Sequence, residues 1–203
     1  MIRHPLGYWA VTLARAAAAL LVGLVITFTA DHSPPVGFAA IAALSLASSV
    51  IIAIAVIAST LSGPSRWFFA AEAVVLVVGG LAAVLLRDHG TSLLLFLGCA
   101  VFGLSGIIEL VAGLVEKTNP ARRDWTFAGA LSALLAVVAL LIPTGFDQHF
   151  TGPDGVARAL TASVVFVGAL GAYAVILGVY LAIGGLSQFW ARNTQNSVER
   201  ANG

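Results

Sequence analysis

Apolar residues in this chain gather into six long runs separated by short polar clusters. The runs extend from about Trp9 to Ala30, Val36 to Leu61, Phe68 to Leu86, Ser92 to Val115, Trp125 to Ile142 and Val156 to Leu186. At about 1.5 Å of helix per residue, about 20 residues cover the roughly 30 Å of bilayer hydrocarbon. None of the runs alternates apolar and polar positions as the strands of a membrane barrel do. The pattern predicts an all-α, polytopic membrane protein with six transmembrane helices. Pro34-Pro35 and Gly63-Pro64 break the chain between runs, as residues that end helices or open them do.

A second pattern lies over the first. Trp9, Trp67 and Trp125 open the first, third and fifth runs, and successive tryptophans are 58 residues apart. Asp31-His32, Asp88-His89 and Asp147-Gln148-His149 follow at nearly constant offset, each in the loop that ends such a run. A fixed period marks a repeated supersecondary unit. The expected unit is a helical hairpin used three times, over about 9–61, 67–115 and 125–186, followed by a polar tail over 187–203. With two helices per unit, the three hairpins share one orientation and are parallel repeats rather than inverted ones.

Composition fixes the solvent. Hydrophobic residues make up 60% of the 203 and charged residues 9%, against about 25% charged in soluble domains. Six spans use nearly the whole length, leaving no room for a soluble catalytic domain. The formal net charge of +1 argues against nucleic acid as a partner, and the single cysteine, Cys99, lies inside an apolar run. The first run follows Arg3 and His4 as a secretory signal would, but its length suits a span better than a signal core. Arg3, Arg66, Lys117, Arg122, Arg123, Arg192 and Arg200 fall on one side of the expected bundle, with Arg87 and Arg158 on the other. Seven against two places both termini in the cytoplasm and the Asp/His loops outside. Arginine outnumbers lysine nine to one, which points to a GC-rich bacterial gene and so to the bacterial inner membrane.

Candidate chemistry is sparse. Arg15, Glu72, Glu109 and Arg158 are the ionisable residues within or near the ends of runs. Each charge costs about 2.5–3.5 kcal/mol to insert, so such residues seek partners. Arg15, Glu72 and Glu109 lie at similar depth, less than about 10 Å inside the cytoplasmic boundary, and Arg15 is expected to pair with Glu109, Glu72 or both. Three readings follow: an ion pair locking hairpins together, a carboxylate that senses or carries protons, or side chains that snorkel to the interface. The loop residues Asp31, His32, Asp88, His89, Asp147 and His149 fit solvated turns, with an acid-sensing or metal-binding role as the sharper alternative. Adjacent residues point in different directions, however, and no ligand-like spacing is present. The tryptophans read as interfacial anchors. Ala39, Ala43 and Ala47 form one small-residue stripe and Ser45, Ser49 and Ala53 another, while Gly103 and Gly106 open the fourth run to close helix packing. No Walker loop, nucleophile elbow or zinc-protease motif occurs, and no cofactor or enzymatic activity is expected.

Three tandem two-helix units with Gly- and Ala-rich spans resemble the HdeD-type acid-resistance membrane proteins. The likeness rests on Val101-Phe102-Gly103-Leu104-Ser105-Gly106-Ile107-Ile108-Glu109-Leu110-Val111 and on Trp125-Thr126-Phe127-Ala128-Gly129-Ala130-Leu131-Ser132-Ala133-Leu134-Leu135, closed by Pro143. The first hairpin, with Arg15 and without the glycine pattern, matches least. The resemblance implies a small inner-membrane protein linked to acid or envelope stress, and it transfers no site residue. Two rival readings stay open: a subunit docking into a larger membrane complex or a homo-oligomer, and a small-solute or proton pathway. The third repeat carries Ala130 and Leu131 where the first two carry Arg15 and Glu72, and this broken symmetry is the sequence's clearest pointer to function.

Overall fold

In the computed structural model the described residues are 7–58, 61, 63–117, 119, 121–153, 155 and 157–201, the last seven as backbone. Arg3, His4, Asp154 and Val156 lie outside them, as does the side chain of Arg200. Six helices form: α1 Tyr8–Phe28, α2 Pro34–Ile57, α3 Ser65–Leu85, α4 Thr91–Val115, α5 Arg122–Leu141 and α6 Ala162–Ala201. All six are long and apolar enough to cross a membrane. Helix starts follow local chemistry. Asp31 accepts hydrogen bonds from the Ser33 amide and hydroxyl, closing a turn that hands the chain to Pro34 at the first position of α2.

The helices close into a ring. Each packs against its sequence neighbours, and α6 returns to α1. The tightest pairs are α1/α6, α2/α3 and α4/α5, while the partners within each expected hairpin pack more loosely. The expected hairpins are therefore chain connections rather than packing units. Small residues explain the difference. Gly171, Gly178 and Gly185 lie one heptad apart on α6 and face Ile26, Leu20 and Leu13 of the antiparallel α1. Gly106 and Gly113 of α4 meet the α5 backbone at Gly129 and Arg122. In lipid, where burying apolar surface gives helices little reason to associate, this close approach of backbones holds them together. On the inside of the ring α2, α4 and α6 also touch one another.

Two apolar plugs bracket the interior. At the end where α1, α3 and α5 begin, Trp125 is 1% exposed and packs edge-on against Tyr8 and Phe69. At the opposite end Phe38, Leu94 and Phe166 are fully buried. Between them lies a polar chamber.

The fold is all-α, as expected, apart from one small β-hairpin in the last loop, β1 Asp147–Thr151 paired antiparallel with β2 Ala157–Thr161, and the bounds of the last span need correction. The sixth helix accordingly begins at Ala162 rather than near Val156, and Arg158 sits on an exposed strand opposite Phe150, not inside a span. The apolar Ala157, Ala159 and Leu160 extend the hydrophobic run and disguise the strand. The turn signal was nonetheless present: Gly152-Pro153-Asp154-Gly155 is turn chemistry, the Gly155 amide bonds to the Gly152 carbonyl, and Gly155 has φ +75°. At the other end, α6 continues well past Leu186 into the polar tail.

A buried charge cluster in a six-helix chamber

Arg15 is seven residues into α1, Glu72 seven into α3, and Glu109 six from the end of α4. All three are therefore about 10 Å from the same end of the bundle. All three are buried, at 7%, 1% and 2% exposure. The Arg15 guanidinium grips Glu109 with both terminal nitrogens: Nη1 donates to Oε1 at 2.6 Å and Nη2 to Oε2 at 3.0 Å. This two-pronged geometry is the strongest form of charged hydrogen bond available to side chains. Glu72 is more distant, with Oε1 3.7 Å from Arg15 Nη2. Its other oxygen, Oε2, is buried without a hydrogen-bond partner among the described residues. Arginine is paired, as expected, with both glutamates, but unequally.

The inequality follows from counting. One guanidinium stands against two carboxylates, so the fully ionised cluster carries one uncompensated negative charge. Arg15 and Glu109 already make a neutral, hydrogen-bonded unit. The surplus falls on Glu72.

Glu72 Oε2 has company. A cavity of about 20 Å³ lies beside the cluster, lined by Arg15, Ser45, Ser48, Glu72, Ser105, Glu109, Ser132 and Tyr173 among others. Every one of the six helices contributes a polar side chain to it. The Ser132 hydroxyl donates to the Ala128 carbonyl at 2.9 Å and shares a 2.8 Å bond with the Tyr173 hydroxyl. Ser45, completely buried on α2, has a hydroxyl without a partner. About 10–15 Å³ on this measure is room for one water-sized particle. Ser45, Ser105 and Ser132 lie ten to twelve residues along their helices, so the chamber runs from the charge cluster to about 15–18 Å depth, near the bilayer midplane.

Sequence reading named the three charges but not the chamber. Its signal was faint: single serines at matching depth in spans that are otherwise apolar. Ser45 stood out only as part of a small-residue stripe, and Tyr173 not at all.

The remaining candidates are not brought together. Asp31 serves its own turn; His32 Nδ1 lies 3.3 Å from the Ala30 carbonyl oxygen and His89 Nδ1 3.2 Å from that of Leu86. Asp88 sits 3.6 Å from Arg87, and His149 3.5 Å from Asp147 on the exposed strand. Among the described residues, no three His, Cys, Asp or Glu side chains gather as a metal site would require. The tryptophans diverge despite their spacing. Trp67 is 77% exposed, as an anchor should be, whereas Trp125 is core and Trp9 packs on Phe189 with its indole nitrogen buried. Of the packing residues, Gly106 is sealed against α5 and Gly103 faces Ala136, but Ala39 and Ala43 face outward. Ser45 and Ser49 lie on the buried face of α2 with Phe38, Ile41 and Ile52, and Ser45 lines the chamber. Comparison with known proteins gives no matching family model, no matching curated protein and no matching solved structure.

Proposed function

We propose that this chain is a non-enzymatic integral protein of a bacterial cytoplasmic membrane, both termini inside, that responds to acid through Glu72. One observation carries the reading: a buried cluster with one cation and two carboxylates, in which the surplus carboxylate has an unpartnered oxygen at a water-sized cavity. An isolated buried charge is costly, and taking up one proton removes it. The titratable groups facing Glu72 are Arg15 from α1, Glu109 from α4 and Tyr173 from α6; α2 and α5 present only serine hydroxyls to the chamber. Protonation makes the cluster neutral and lets Glu72 donate a hydrogen bond, whereas deprotonation restores the surplus charge and pulls Arg15 between two carboxylates. The three helices that carry the cluster, α1, α3 and α4, would feel that change directly. The resemblance to HdeD-type proteins supplies the setting, acid or envelope stress.

The test is survival. Deleting the gene from its host is expected to lower viability after an acid challenge, with wild type restoring it and Glu72→Gln failing to do so at equal membrane abundance. An unimpaired deletion strain would remove the stress role. Full restoration by Glu72→Gln would remove Glu72 from it.

A further inference from the structure

We propose that a groove at the seam between α3 and α4 is a binding site for one hydrocarbon chain of a bilayer phospholipid. The inference is independent of how Glu72 titrates.

The ring leaves room there. α3 packs far more loosely against α4 than against α2, and α4 more loosely against α3 than against α5. An open cavity of about 370 Å³ fills the seam, walled by Val74, Val78 and Ala82 of α3 and by Leu97, Ala100 and Leu104 of α4. Its floor is the buried Val101, which packs onto Gly79 so closely that no Cβ fits between them. Gly79, Ala82 and Ala100 are small, and the volume they leave is the groove. Val78 and Leu104, 61% and 54% exposed, form its rim.

Lining chemistry sets the class. All the residues that line the groove are apolar, so a polar ligand would find nothing there to bond. An apolar cavity of about 150 Å³ stays dry and takes up benzene. By the same measure, about 370 Å³ has room for on the order of ten to fifteen carbons, the scale of an acyl chain rather than of one side chain.

Depth sets the source. Val78 lies seven residues before the end of α3 and Ala100 nine residues into α4. The groove is therefore centred about 10–14 Å from one end of the bundle and about 20 Å from the other, where lipid tails surround a membrane-spanning ring. A second copy fits less well. A partner span is about 30 Å long, whereas the groove occupies about 12 Å of α3, from Val74 to Ala82. Such a helix would bridge the rim, insert a side chain and leave most of the cavity empty.

The groove also backs onto the charge cluster. Val75 and Val101 line it, while the residues next to them, Leu76 and Phe102, line the chamber. One layer of side chains separates the two, and a bound chain keeps that layer packed.

Photolabelling of the protein in phosphatidylcholine nanodiscs tests this. A trace of phosphatidylcholine carries a diazirine in the terminal half of one acyl chain, and peptide mass spectrometry locates the adducts. Leu21 of α1 and Leu134 of α5 are the comparison: like Val78, each lies seven residues before the same end of its helix, at 66% and 58% exposure. Adducts in the groove are expected about tenfold above those at Leu21 and Leu134, the worth of about ten added carbon–carbon contacts. Ala100→Phe, which places a ring in the groove from a half-buried position, should bring the groove down to their level with helical circular dichroism unchanged. If that variant does not fold, Ala82→Phe fills the groove from the facing helix. Equal labelling of the three surfaces in wild type overturns the site, whatever the variants do. So does tenfold labelling that persists in a folded Ala100→Phe or Ala82→Phe protein. Labelling below that of Leu21 and Leu134, with Leu104→Cys in a Cys99→Ala chain forming disulfide-linked dimers, hands the groove to a second copy and overturns the lipid site too.

Discussion

Replacing Arg15 with methionine is expected to destabilise the protein by about 3–5 kcal/mol, the usual cost of leaving a buried charge without its partner. The change removes both hydrogen bonds to Glu109 and the 3.7 Å contact to Glu72 together. Two carboxylates would then face each other in a sealed chamber with no cation between them. The double change Arg15→Met, Glu109→Gln should recover most of the loss, because it removes the pair together and leaves one carboxyl to protonate. Glu109→Gln alone should cost more than Glu72→Gln. The first breaks a two-pronged pair, whereas the second removes only surplus charge. Unfolding in mixed detergent micelles, followed by helical circular dichroism across pH, measures all four. Equal losses for the two glutamine variants would contradict the unequal roles assigned to the carboxylates.

The second large effect is steric. A side chain at Gly106 would place its Cβ 2.7 Å from the Ala133 amide nitrogen and 2.9 Å from the Gly129 carbonyl oxygen. These are backbone atoms, so no rotamer change relieves the clash and α4 and α5 must separate. Gly106→Leu is expected to cost at least the 1–3 kcal/mol of ordinary overpacking, about one to two powers of ten in the folding equilibrium. Ala43→Leu gives the control, since Ala43 faces outward on α2 and should tolerate the added bulk to within about 0.5 kcal/mol. Detergent-melting temperatures of the two variants should therefore separate clearly. A Gly106→Leu protein as stable as wild type would mean that close α4/α5 packing does not hold the ring together.

Six spans were legible because nothing but a membrane helix explains apolar runs of that length, and the three buried charges because an ionisable residue in such a run is rare. What escaped was packing direction. The periodic tryptophans read as equivalent anchors, yet Trp125 turns inward against Tyr8 and Phe69 while Trp67 faces out. Identical spacing fixes depth in the bilayer, not the face of the helix. The same limit applies on α2, where alanine and serine stripes are both small enough to pack and only the neighbours' polarity decides which turns inward. The β-hairpin escaped for a different reason: its second strand is apolar enough to merge with the run that follows. The chamber itself is a tertiary fact. Four serines on three helices, an arginine, two glutamates and a tyrosine meet only once the ring has closed.

The central claim is that Glu72 holds an exchangeable proton at the heart of the bundle. Infrared titration of the protein in lipid nanodiscs tests it most directly, through the high-frequency carbonyl band of a buried, protonated carboxylic acid. The account predicts a band that grows as pH falls in wild type and is missing in Glu72→Gln. Persistence of that band, with the same titration, in Glu72→Gln would contradict it.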